Sequence, residues 1–152
     1  MKFLFLTPLL TFMLYAQNYT YLIDEYDKVI DLEAKIISKI ANDIVKNGEI
    51  NLYIPNIKNL DKKIYSTKFN LVDSCKKANF VFIKNKDDLD NCKNMNNKHF
   101  FTNNYKILIN DHRYIGAFFW SKSRPNIVLI KNRLNKKNIQ LSKEYAQFIE
   151  DL

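Results

Sequence analysis

The chain has 152 residues, with 24 Lys and Arg against 16 Asp and Glu for a formal charge of +8, and 47% of its residues are hydrophobic. That length makes one domain able to bury a real core, and an apolar content rich in Ile and Phe excludes intrinsic disorder. A charge of +8 would ordinarily suggest a polyanion partner. Here the lysines are scattered, Arg occurs only at 113, 124 and 133, and Lys, Asn and Ile abound while Gly is scarce. The pattern matches an AT-rich coding sequence and a diffuse surface charge, so no nucleic-acid partner is expected.

Residues 1–16 read as a secretory signal peptide. Lys2 is the lone charge, Phe3 to Leu14 is an apolar run, and Ala16 precedes polar Gln17-Asn18, giving the basic start, short apolar stretch and small residue at the cut that export requires. An uncleaved anchor is the alternative, although the run is shorter than the roughly 20 residues a bilayer span needs. Leu14, two before the cut, is larger than usual there. The expected domains are thus 1–16, a cleaved leader, and 17–152, a single exported α/β domain, which the resemblance given below implies is periplasmic.

From Asp24 to about Asn47 the chain predicts an amphipathic helix. Val29, Leu32/Glu33, Ile36, Ile40 and Ile44 recur at three or four residues, with Ile30, Ile37 and Ala41 widening the stripe. Acidic residues from Asp24 to Asp31 in its first turns and Lys46 in its last would suit the dipole, and Asn47-Gly48 would end it. Residues 49–54 then predict a strand closed by Pro55, Lys63 to Val72 a second, and Phe80-Val81-Phe82-Ile83 a strand buried on both faces. Asp87 to Lys93 is expected to form a short helix presenting Cys92. Lys106 to Ile109, Ile115 to Trp120 and Ile127 to Ile130 predict further strands, the first two separated by a polar 110–113 turn. Ser142 is placed to cap a closing helix through Tyr145, Phe148 and Ile149. The fold class is therefore α/β: a central mixed β-sheet covered by a long N-terminal helix and a C-terminal helix.

Cys75 and Cys92 are the two cysteines. In an exported chain an even pair makes a structural disulfide, with free thiols or a redox-sensing pair as alternatives. Their spacing fits neither a CxxC motif nor a metal site, and His99 and His112 do not complete one. With glycines only at 48 and 116 there is no phosphate-binding glycine loop, and no GxSxG or HExxH motif occurs. The acidic set Asp87, Asp88 and Asp90 lacks the glycine turn and terminal Glu of a calcium loop. No catalytic residue, cofactor or metal is expected.

Residues 112–125 are the most unusual stretch, gathering the single Trp, two of the three Arg and several aromatics. These types are enriched at interface hot spots. Strand alternation would send Ile115, Ala117 and Phe119 to one face and Gly116, Phe118 and Trp120 to the other. Either both faces are core, or Arg113, Tyr114, Phe118, Trp120 and Arg124 form a partner or ligand surface.

The C-terminal third resembles the YfiR/HmsC-like family of small periplasmic proteins. The resemblance rests on Gly116-Ala117-Phe118-Phe119, then Ile127-Val128-Leu129-Ile130 with Asn132, then Ile139-Gln140-Leu141-Ser142 leading to Tyr145. Upstream, Cys75 ahead of Phe80-Val81-Phe82-Ile83, and the long helix before Ile54-Pro55, are similar to the family pattern. Four residues separate Cys75 from the strand where about one is usual, and better-known members carry more cysteines. The resemblance implies a non-enzymatic regulator, with a homodimer as its assembly, that binds the periplasmic part of an inner-membrane signalling protein of diguanylate cyclase or sensor kinase type. A small-ligand-binding periplasmic domain is the alternative, and an exported enzyme with His99 or His112 beside a carboxylate is a third.

Overall fold

The computed structural model describes residues 7–46, 48–85, 88, 92, 95 and 97–152, with side chains of the first helix described from Glu25 onward. Helix α1 (Thr7–Val45) is followed by β1 (Asn51–Tyr53), α2 (Asn59–Tyr65), β2 (Asn70–Leu71) and a 3₁₀ turn at Cys75–Lys77. Then come β3 (Phe80–Ile83), β4 (His99–Thr102), α3 (Tyr105–Asn110), β5 (Tyr114–Ser121), β6 (Arg124–Ile130) and α4 (Lys131–Lys136). A 3₁₀ helix at Lys143–Phe148 and β7 (Ile149–Glu150) close the chain. The fold is α/β, with one mixed seven-stranded sheet in the order β2-β1-β3-β4-β5-β6-β7.

β1 to β5 are mutually parallel, β6 runs antiparallel to β5, and β7 is parallel to β6. Alternation along β3 separates two cores: Phe80 and Phe82 point to the α1 side, Val81 and Ile83 to the other. α2, which leads outward from β1 to β2, contributes Tyr65 to the α1-side core. The connections running the opposite way, through Cys75 and Ala78 and through Leu108 of α3, contribute to the other. Crossovers of one hand require that change of face. The strand order therefore reverses between β1 and β3, the topological switch point of a doubly wound sheet.

In α1 the packed residues are Ile30, Ala34, Ile37, Ile40, Ala41 and Ile44. Each buried Ile contributes about 1.5–3 kcal/mol. The stripe lies to one side of the expected one: Val29 and Leu32 are 36% and 41% exposed, while Glu33 is buried. Because the helix starts at Thr7, the acids from Asp24 to Asp31 lie in its middle and do not meet its N-terminal dipole. It ends at Val45, where Lys46 takes a left-handed φ of 53°, so the reversal comes before Asn47-Gly48.

Four other expectations are revised. Within the span expected as the second strand, residues 63–65 belong to α2, which places Asp61 and Tyr65 four apart on one buried face, and only Asn70–Leu71 is strand. Lys106–Ile109 is helical because the Asn104 side chain accepts from the backbone N–H of Lys106 and Ile107, a capping arrangement. The strand there is His99–Thr102 instead. The closing helix is 3₁₀, Ser142 gives it no side-chain cap, and Ile149 passes into β7. Finally, a register shift sets Phe100 opposite Tyr114 and Phe101 opposite Gly116, so Ile115 turns to the α1-side core with Phe118 while Ala117 remains on the other face. The expected helix at Asp87–Lys93 lies largely outside the described residues.

Cys75 and Cys92 form a disulfide with a Cα–Cα separation of 5.6 Å. It ties the turn after β2 to the connection between β3 and β4, and both residues are buried in the core opposite α1.

Candidate functional sites

The five residues singled out on and around β5 do not form one surface. Tyr114 and Phe118 are fully buried, and Phe118 stacks edge-on against Trp120 with ring centroids 5.7 Å apart. Trp120 is partly buried against the α1-side core, with an indole N–H that has no hydrogen-bond partner among the described residues. Arg113 precedes β5 and Arg124 follows its hairpin, so the eight-residue strand puts about 23 Å between them. The β5–β6 pair thus has two separate ends.

The hairpin end is a two-residue turn. Ser121 pairs with Arg124, and Lys122 and Ser123 between them have φ of 49° and 59°. Positive φ at both central residues gives the type I′ turn whose twist matches the strands, a turn usually made by Asn-Gly. Lys and Ser there cost on the order of 1 kcal/mol each. Residues 121–125, including Arg124, are exposed.

The other end is a basic cleft of about 690 Å³ between the 110–113 turn and α4. Among the described residues, Arg113, Arg133, Lys136 and Lys137 line it with His112 and Phe100, against a single acid, Asp111. Arg113 grips Asp111 through Nε at 3.0 and 3.2 Å and Nη2 at 2.6 Å. Burial pushes the Asp111 carboxyl up, but hydrogen bonds from the Arg113 side chain and backbone and the charges of Arg113 and Arg133 outweigh it and hold the group below its ordinary range. Arg133 is 6% exposed. Its Nη1 donates to the carbonyls of Leu108 (2.6 Å), Asp111 (3.0 Å) and Tyr114 (2.8 Å), while its buried Nε has no partner among the described residues. The Lys137 ammonium donates to the Lys98 carbonyl at 2.9 Å.

A third cluster lies at the switch point, where the carboxyl end of β3 delivers Lys84. Its ammonium sits 2.8 Å from Glu33 Oε1 and 3.2 Å from Asp61 Oδ2. Tyr65 donates to Glu33 at 2.6 Å and Tyr26 to Asp61 at 2.9 Å. Burial and then the bond to Asp61 push the Tyr26 hydroxyl up to about 12, and burial followed by Glu33 raises Tyr65. The sequence reading did not find this cluster, because its members lie on α1, α2 and β3 and only the strand order brings them together. Glu33 inside an apolar helical stripe was the one visible signal.

His99 and His112 acquire no carboxylate partner in the described structure, and among the described residues no group of three or more His, Cys, Asp or Glu could hold a metal ion. No described helix is long and apolar enough to cross a membrane. The disulfide points to an oxidising compartment outside the cytoplasm. No protein-family model, curated protein or solved structure matches the chain.

Proposed function

We propose that this chain is an exported, non-enzymatic regulator or sensor that works in the periplasm by binding a membrane signalling protein through the end of the β5–β6 hairpin. The observation that carries the reading is the pair Lys122 and Ser123, both held at positive φ on an exposed tip. Strained backbone persists where surroundings over-determine it, and it concentrates at binding sites. Pro125 and Arg124 flank the tip, and Trp120 lies beneath it against Pro125. Arg and Trp are the residue types that anchor interfaces. The export pattern of residues 1–16 and the buried disulfide support the compartment. The expected cut after Ala16 falls within α1, and cleavage would leave the helix from Gln17 to Val45 to cover the sheet.

The test is genetic. Deletion of the gene should change the output of an envelope signalling pathway, wild-type protein should restore it, and a secreted, folded Lys122→Glu/Arg124→Glu variant should not. Full restoration by that variant contradicts the hairpin assignment, and unchanged output on deletion contradicts the regulatory role. A second reading, a small-ligand-binding periplasmic domain, is favoured by a different observation, the basic cleft at the far end of the same strand pair. Its volume lies in the range of small-molecule sites.

A further inference from the structure

The geometry points to the cleft between the 110–113 turn and α4 as a binding site for a phosphate-bearing ligand. This inference rests on the ligand-binding reading of the cleft and is independent of the hairpin. Among the described residues, two guanidinium groups and two ammonium groups line the cleft against one carboxylate, and that carboxylate is already engaged by Arg113. The hydrogen bonds that hold Arg133 in place go to neutral carbonyls. Among the described residues its charge is therefore buried with no acid in direct contact, and its Nε has no partner. A buried guanidinium with an unused donor gains most from an oxyanion, which accepts several charge-assisted hydrogen bonds at once.

Lys136 supplies the complementary feature. It is exposed, lines the same cleft, and has no ion-pair or hydrogen-bond partner among the described residues. It can reach a second charge on the ligand without first breaking a contact. Among the described residues, Arg113, Arg133 and Lys136 exceed Asp111 by two positive charges, which favours a multivalent anion, phosphomonoester or pyrophosphate, over a single carboxylate. The ligand chemistry is the same whether the phosphate belongs to a soluble molecule or to a lipid headgroup.

Calorimetry with inorganic pyrophosphate and flotation with vesicles containing phosphatidic acid, whose headgroup is a phosphomonoester, both using the full mature chain, test the site and separate its two sources. Pyrophosphate binding that weakens as salt rises, and weakens by about tenfold or more in Lys136→Glu, supports a soluble phosphate ligand. Vesicle binding that is lost in Lys136→Glu and competed by pyrophosphate supports a headgroup. Binding of neither, or binding that Lys136→Glu leaves unchanged, overturns the site. Lys136 is exposed, so its variant keeps the fold. The Lys122→Glu/Arg124→Glu variant should bind pyrophosphate like the unaltered chain, which keeps a failure of the cleft distinct from a failure of the hairpin.

Discussion

Lys84 and Glu33 meet 2.8 Å apart across the boundary between the sheet and α1, and Asp61 of α2 completes the pairing at 3.2 Å. One cation thereby joins three elements at the point where the strand order reverses. Glu33 and Asp61 are each 5% exposed. Removing the cation leaves two carboxylates facing one another with little access to water.

Lys84→Met should therefore destabilise the domain by about 2–4 kcal/mol, a value in the lower part of the range for a broken buried pair because the lysine side chain retains some exposure. Adding Glu33→Gln and Asp61→Asn to Lys84→Met should recover part of the loss. Urea midpoints at neutral pH check both, and a Lys84→Met midpoint equal to wild type would mean the cluster is solvated and contributes little.

The disulfide closes a loop with a sequence separation of 17, for which chain entropy predicts about 3 kcal/mol. Cys75→Ser/Cys92→Ala should lower stability by that order, and reductant should produce a similar fall in wild type and none in the variant. Denaturation curves with and without reductant make the comparison.

Stability should also fall in mild acid through His99. Burial first, and the Lys137 charge second, hold its imidazole below 6.5. Below that value the unfolded chain binds a proton that the folded chain resists. The His99 contribution is thus complete above pH 6.5 and is lost as pH drops toward the folded pKa. His99→Gln should flatten the decline just below pH 6.5. Asp111, held below 3.8, contributes in the same sense at lower pH: its stabilisation is present above 3.8 and lost as pH falls through its folded value.

Much of the fold was legible where one stretch of chain carries its own signal. Phe80–Ile83 is continuous and apolar and is a strand with those bounds, and the Ile-rich segment after Asp24 is helical because its period is helical. Short apolar runs were ambiguous: Lys106–Ile109 looks like a strand until Asn104 is seen to cap it. The candidate residues around β5 were chosen by type, but Tyr114 and Phe118 are buried, a register shift moved Ile115, and the strand's length separated Arg113 from Arg124. The Lys84 cluster and the cleft around Arg133 depend on strand order and on where α4 returns, and no local pattern encodes either.

Gly116 shows how tightly β5 is seated. A Cβ at that position would lie 2.5 Å from the Phe101 ring and 2.7 Å from the Val128 carbonyl oxygen. Gly116→Ala should cost about 1–3 kcal/mol through overpacking. Thermal unfolding checks it, and an unchanged midpoint would show that β5 and β6 separate readily. By contrast, Lys122→Asn/Ser123→Gly, which suits the positive φ values of the turn, should raise stability by about 1 kcal/mol.

If the hairpin tip meets a membrane signalling protein outside the cytoplasm, position 122 lies at that contact. Photocrosslinking in intact cells from a benzophenone amino acid at position 122 tests it most directly, with position 62 on the exposed surface of α2 as the control. A discrete adduct with one membrane signalling protein is expected from position 122 and none from position 62. Adducts only with cytoplasmic proteins, or the same adduct from both positions, would contradict it.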